Sequence, residues 1–342
     1  MKRIAALRQV SALVAQRYGL CFPEDRQADL LRCVQAAVRE SGQVSADELL
    51  DELLDPAAAD AALDRLMPFL TVGETYLFRH QAALAALEQV VLPDLIAQRY
   101  PAAPFLRIWS AGCCTGEEAY SVAMVLADAL PDRAAWQVTL LATDINDRFL
   151  RKAADGVYSE WSFRGLPTAL RERFFVPAAG GHHQVVPQIR AAVDFAQHNL
   201  LADDPPAGRI TSGMDVIFCA NVLIYFTPEQ ASRVVARLTD ALADGGWLVT
   251  SPVEIASGLF DGLTRVDVPG GTLLRKTQSV SLPVASPAAQ RPGDRQPAST
   301  GTRLLPTALR LPAAAPANRP QPAVRPQPAV RPQPAVRPQP AV

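Results

Sequence analysis

The sequence predicts an α/β fold: a doubly wound, mostly parallel sheet with an all-helical N-terminal domain before it and a small antiparallel β insertion within it. Three observations carry this. Between residues 80 and 251, the apolar runs "FLRIWS", "VTLLAT", "MDVIFC" and "WLVTS" alternate with segments of helical period. "VTLLAT" is apolar enough to be buried on both faces, as a central parallel strand is. Residues 1–72 read as helical throughout.

In the N-terminal domain, Leu30, Val34 and Val38 recur on one helical face, and Gly42 follows as a C-cap. "SADELLDELL" opens with Ser45 and Glu48 at capping-box spacing. The α/β body, residues 73–277, then reads in order. A helix over about 80–98 leads to strand 105–110, helix 116–129, strand 137–143 and helix 147–155. Strand 214–219, helix 228–243 and strand 246–251 follow, and two short strands around Pro269-Gly270-Gly271 close the sheet edge as a hairpin. Residues 157–200 break the alternation. They hold a short helix near 167–174 and an alternating stretch, so the whole segment reads as an antiparallel insertion.

Composition narrows the function. Residues 278–342 carry eight arginines and Asp294, whereas the preceding 277 residues carry 25 basic and 33 acidic groups. An acidic body argues against a nucleic-acid partner. Five cysteines with no C-x-x-C pair suggest neither a disulfide framework nor a metal site and fit a reducing cytoplasm; a monomer is expected. The N-terminus lacks a continuous apolar stretch, and no run is long enough to span a bilayer, so an integral membrane protein is not expected. From residue 278 the chain holds 15 of its 30 prolines and ends in four "RPQPAV" copies, a composition expected to be disordered and extended, with no partner readable from it.

The chemistry centres on "RIWSAGCCTGEEAYS", residues 107–121, a strand turning into a helix through small residues. It has neither the G-x-x-x-x-G-K-[ST] of a phosphate loop nor the G-x-G-x-x-G of a dinucleotide site. Glu117 and Glu118 at the helix start would repel a pyrophosphate and suit a cation. Asp144, ending the next strand, is placed to accept from ribose hydroxyls. Asn221 in "IFCANVLIYF" lies beyond a third strand end, where its amide can both donate and accept. Ribose without phosphate, plus a cationic group, points to S-adenosylmethionine and a class I methyltransferase.

The sequence resembles the CheR-type chemotaxis receptor methyltransferases over nearly all of residues 1–277. "TVGETYLFRH", "IWSAGCCTGEEAYS", "ATDI" and "FCANVLIYF" are similar to four motifs of that family. The resemblance implies transfer of a methyl group from S-adenosylmethionine to receptor glutamates, giving methyl esters and S-adenosylhomocysteine, without a metal. It implies cofactor contacts from Gly73, Thr75, Arg79, Glu118, Asp144, Asn199, Leu200, Asn221 and Val222. Arg79 and Tyr225 would lie at the reaction centre, Tyr225 close to the sulfonium. Glu117 is then expected to be only a first-turn charge. Arg26, Arg32 and Arg39 read either as a solvated face or as a docking surface for acidic chemoreceptor helices, which would recruit the protein to receptor arrays at the membrane.

Three departures from the family pattern stand out. Gly73 replaces a usual Asn, Ala220 replaces a usual Arg, and the segment from Phe175 to Val193 is short for the family's β-subdomain. In some members that subdomain grips a peptide at the receptor's C-terminus, so the short segment favours a member that works without the tether. Two rivals stay open on the residues alone: a non-catalytic adaptor binding S-adenosylhomocysteine, and a methyltransferase for small carboxylic acids.

Overall fold

Helices α1 (Lys2–Tyr18), α2 (Gln27–Ser41), α3 (Ala46–Leu54) and α4 (Ala59–Leu70) open the computed structural model, which describes residues 2–42, 45–100 and 102–277. The RPQPAV repeats and the rest of residues 278–342 lie outside the described residues. The four helices share one apolar core that includes Val10, Val14, Leu30, Val34, Leu49, Leu53 and Leu66. Val38, at the end of the expected α2 face, is only partly buried. Gly42 terminates α2 in the left-handed conformation at φ 71°, and the Ser45 hydroxyl accepts from the Glu48 N–H (3.2 Å) to cap α3.

The expected helix near 80–98 runs as α5 (Gln81–Ala86), one wide π turn (Leu87–Val91) and α6 (Leu92–Arg99). Pro93 is the reason: it offers no N–H, and its ring would strike the Gln89 carbonyl of a regular α turn. There follow β1 (Phe105–Ala111), α7 (Glu117–Ala129), β2 (Gln137–Asp144), α8 (Asp147–Asp155) and β3 (Val157–Tyr158). Then come α9 (Thr168–Phe174), β4 (Phe175–Pro177), β5 (His183–Val185), α10 (Pro187–Arg190) and β6 (Asp194–Gln197). The chain ends its described part with β7 (Met214–Phe218), α11 (Pro228–Ala241), β8 (Leu242–Val249), α12 (Pro252–Ile255), β9 (Leu263–Val268) and β10 (Gly271–Lys276).

The main sheet has seven strands in the order β6-β2-β1-β7-β8-β10-β9. Its first five strands are parallel, and the β9–β10 hairpin is antiparallel, with Val268 opposite Gly271. The sheet is doubly wound, and strand order reverses between β1 and β7, so the crevice for a ligand opens at the carboxyl ends of β1, β2 and β7. Two further cores, centred on Ile108, Val122 and Phe218 and on Trp109, Ile217 and Val234, cover its two faces.

Two expectations change. The antiparallel excursion is smaller than residues 157–200: β3, β5 and β4 form the separate three-stranded sheet, but Asp194–Gln197 joins the main sheet parallel to β2. Alternation alone cannot say which edge a strand joins; packing decides it, with Phe195 edge-on to the Tyr120 ring of α7 (centroids 5.6 Å apart). The helix expected to reach residue 243 stops at Ala241, and β8 begins at Leu242 instead of 246. There the backbone is close-packed, since a Cβ on Gly246 would lie 2.9 Å from the carbonyl oxygens of Ala243 and Met214.

Candidate active site

The turn after β1 is built from residues whose small size serves the protein's own packing. Gly112 has φ 85°, and a Cβ there would lie 2.5 Å from Cγ2 of Val222. Gly116 has φ 93°, and a Cβ there would lie 2.8 Å from that of Ala153. The Gly112 and Cys113 N–H groups both donate to the Thr143 carbonyl at 2.8 Å, tying the turn to the end of β2. Cys114 is itself left-handed at φ 52°. Burial pushes its thiol up to about 12, so it is no nucleophile at neutral pH.

The adjacent glutamates part company. Glu118 lines a cavity at the strand ends, and its Oε1 accepts from the Ser110 hydroxyl at 2.7 Å. Burial pushes its carboxyl up to about 7, against the downward pull of the Ser110 hydrogen bond. A cation placed in the cavity relieves that cost. Glu117 is more than a first-turn charge. It is 1% exposed and accepts from the hydroxyls of Thr115 (2.6 Å) and Ser162 (2.9 Å), pinning the insertion to the turn. The same cluster holds the 75–80 segment: the Leu77 N–H donates to the Ser162 carbonyl (3.0 Å) and the Phe78 N–H to the Ser121 hydroxyl (2.9 Å).

Asp144 lines the cavity and is also a structural acceptor. Its Oδ2 accepts from the Cys114 N–H (2.8 Å) and its Oδ1 from the Asn146 N–H (2.9 Å), which leaves the carboxylate with acceptor capacity for a ligand. Asn199 and Leu200, just beyond β6, also line the cavity. The Asn199 amide is engaged at both ends: its Nδ2 donates to the Arg17 carbonyl (3.0 Å) and its Oδ1 accepts from the Leu201 N–H (3.0 Å).

Asn221 and Val222 line the wall opposite, beside Ala220. Asn221 is left-handed at φ 60°, a conformation Asn tolerates better than most residues. What holds it there is Glu254, unnoticed in the sequence. This carboxylate is 2% exposed and accepts from the backbone N–H groups of Asn221, Val222 and Leu223 at 2.8–2.9 Å. It also accepts from the Thr250 hydroxyl (2.7 Å) and from the N–H (3.0 Å) and hydroxyl (2.6 Å) of Ser251. The Ser251–Glu254 spacing is a capping signal that could have found it.

The cavity mouth brings the rest together. Thr75 and Arg79 line it, and Arg79 donates through Nη1 to the Glu74 carbonyl (2.5 Å), a backbone contact and not an ion pair. Tyr225 lines it as well, and burial raises its phenol above the ordinary range. Gly73 is not among the lining residues: its place is taken by Phe149, whose Cζ would be 3.0 Å from a Cβ at position 73. The N-terminal helices form part of the wall through Tyr18 and Leu20, which the sequence did not single out. They are locked there by backbone bonds from Cys21 N–H to the Tyr225 carbonyl (2.8 Å) and from Thr227 N–H to that of Gly19 (3.1 Å). Two further unanticipated residues, His80 and His198, line the cavity with their pKa values lowered chiefly by burial. On α2 and its approach, Arg26 (3.1 Å) and Arg32 both pair with Asp29, and Arg39 is exposed.

S-adenosylmethionine fits these residues. The buried Glu118 carboxyl stands where a positive group is favourable, and Asp144 offers acceptors for a diol. Leu20, Ile145, Phe149 and Phe218 give the apolar walls a nucleobase requires, and no lysine is among the lining residues to suggest a phosphate. Among the described residues, no group of three or more His, Cys, Asp or Glu is arranged to hold a metal. No helix among them is long and apolar enough to cross a membrane.

Comparison with known proteins agrees with this geometry. Residues 73–257 match the family described as CheR methyltransferase, SAM binding domain. Chemotaxis protein methyltransferase 2 of Vibrio cholerae is 35% identical over 200 residues, 58% of this chain and 68% of that protein. A probable chemotaxis protein methyltransferase of Rhizobium etli is 32% identical over 252 residues, 72% of this chain and 92% of that protein. An uncharacterized 104.1 kDa protein of Rhodobacter capsulatus is 41% identical over 175 residues, 51% of this chain but only 18% of that protein. A cavity with two acidic walls at the carboxyl ends of β1 and β2, inside the matched span, places this chain in the CheR methyltransferase family with S-adenosylmethionine as its cofactor.

Proposed function

We propose that the protein methylates glutamate side chains of a chemoreceptor, forming glutamyl methyl esters and S-adenosylhomocysteine. The observation that carries this reading is one cavity in which Glu118 and Asp144 supply the acidic floor and Arg79 and Tyr225 stand at the mouth. When bound, S-adenosylmethionine supplies an electrophilic methyl group. The protein's own task is then to hold a carboxylate in line with it. Arg79 is a fixed cation that can orient an incoming carboxylate. Tyr225 stays protonated at neutral pH and can donate its O–H to one carboxylate oxygen. A free glutamate has a pKa of about 4.3 and arrives ionised, so no general base is required. His80 and His198, with pKa values below the ordinary range, are neutral and leave the electrostatics to Arg79. Catalysis on this reading is alignment and exclusion of water.

Within the same reading, Thr75, Asn199, Leu200, Asn221 and Val222 contact the cofactor, and Gly73 does so only indirectly, through Phe149. The exposed Arg39 and the partly neutralised Arg26 and Arg32 offer a docking face to acidic receptor helices at the cytoplasmic side of the membrane. The test is incorporation of radiolabel from methyl-labelled S-adenosylmethionine into receptor-bearing membranes, released by mild base as an ester must be. Tight cofactor binding without incorporation would replace this reading with the adaptor.

A further inference from the structure

A second groove adjoins the cofactor cavity, sharing Tyr76, Arg79 and His80 with it. It is walled by the start of α5, the turn after Trp161 in the insertion, and the β9–β10 hairpin. No aspartate or glutamate is among the described residues that line it, although the 277 residues before the tail hold 33 acidic against 25 basic groups. The groove beneath the N-terminal helices, by contrast, is lined by Glu40, Asp64, Asp147 and Asp204 as well as by arginines.

The two cations of the acid-free groove are Arg79 and Arg164, and they flank a single ring. Their guanidinium carbons lie 5.9 and 4.0 Å from the centre of Tyr76, so the two charges are no farther apart than those distances together. That limit accommodates carboxylates one turn apart on a helix, about 5–6 Å, and falls short of two full turns, about 11 Å. Arg164 is held in place. It also stacks on Trp161 at 4.0 Å and donates to the Trp161 carbonyl at 2.8 Å. Its nearest carboxylate, that of Glu74, is 3.9 Å away and 66% exposed, a pairing weak enough in water to yield to an incoming group. Trp161 itself is 66% exposed, a large ring left in water beside a fixed guanidinium, the makeup of an interface anchor.

We infer that this groove docks the protein substrate through a second acidic side chain, which pairs with Arg164 under Trp161 while the methyl-accepting glutamate enters at Arg79. The inference rests on the receptor reading above and adds what selects among a receptor's glutamates: an acidic neighbour one helical turn away.

The test uses the full chain carrying Arg164→Gln or, as an exposed change that spares the fold, Trp161→Ala. In labelled methyl transfer to receptor-bearing membranes, KM for the receptor rises about five- to tenfold with kcat within about twofold, and Arg164→Lys recovers part of the loss. The S-adenosylmethionine Kd by calorimetry stays at the wild-type value. An unchanged receptor KM in Arg164→Gln overturns the docking and leaves methyl transfer standing. If wild-type protein labels no receptor, the transfer reading falls, and the groove is read directly by anisotropy of a fluorescein-labelled helical peptide with glutamates four residues apart. Weaker binding of that peptide to Arg164→Gln then supports the docking, and equal binding to both proteins overturns it.

Discussion

Glu254→Gln is the sharpest probe of how the cavity wall is held. The substitution keeps volume and shape, so it opens no cavity. It replaces one accepting oxygen with an NH2 group. Oε1 accepts only from the Val222 and Leu223 N–H groups, neither of which can turn away. Oε2 accepts from the Asn221 and Ser251 N–H groups and from two hydroxyls that can rotate to accept instead. The better orientation therefore keeps the carbonyl at Oε1 and leaves two buried backbone donors facing an NH2. At about 1–3 kcal/mol for each unsatisfied donor, the loss is about 2–6 kcal/mol of stability. In a domain of this size, at about 2 °C per kcal/mol, that lowers Tm by roughly 4–12 °C. Because one orphaned donor belongs to the left-handed Asn221, cofactor affinity falls as well. Denaturant unfolding gives the first quantity and calorimetry with S-adenosylmethionine the second. A stability change below about 0.5 kcal/mol, the size of an ordinary surface substitution, with unchanged affinity would refute the reasoning.

Other outcomes follow from the same geometry. Asp144→Ala removes acceptors from Cys114 and Asn146 together with the expected ribose contact, so both Tm and S-adenosylmethionine affinity fall, the latter by about 1–3 kcal/mol; calorimetry showing unchanged affinity would dismiss the ribose contact. Glu118 is raised in the folded state, to about 7 from an ordinary carboxylate value, so folding takes up protons. Its contribution to stability is complete at acidic pH and is lost as pH rises through about 7. Binding of a cation runs the other way: S-adenosylmethionine affinity rises through about pH 7 with release of a proton, and Glu118→Gln flattens that profile in calorimetry. Gly112→Ala meets Val222 at 2.5 Å and a positive φ together. Its expected cost is about 2–4 kcal/mol in denaturant unfolding, and a neutral substitution would mean the turn has another conformation open to it.

Much of this protein is legible along the chain because its signals are local. Strands β1 and β2 were bounded to within a residue, and helix α8 at both ends, because apolar runs and caps sit next to each other in sequence. The acidic pair after β1 and the acid ending β2 announced a cationic, ribose-bearing ligand without reference to any contact. The sequence separated the two glutamates, with Glu118 toward the cavity, but could not say what Glu117 does. Glu117 reads as a surface charge until Ser162, 45 residues away, is brought over it. Nor could it say why Gly73 is glycine: the answer is a phenyl ring 76 positions later.

The sequence by itself determined the order of elements, the acidic character of the cofactor turn and the family, since each depends on residue types at short, fixed spacings. Only the tertiary structure decided that the N-terminal helices close the cavity through Tyr18 and Leu20, and that Asp194–Gln197 joins the main sheet. It alone decided that Glu254 holds the Asn221 turn and that Arg79 and Arg164 share one aromatic ring. The physical reason is common to all four. Each depends on a buried hydrogen bond, a strand edge or a ring contact between distant segments, and such partners meet only when the packed core fixes which faces are adjacent.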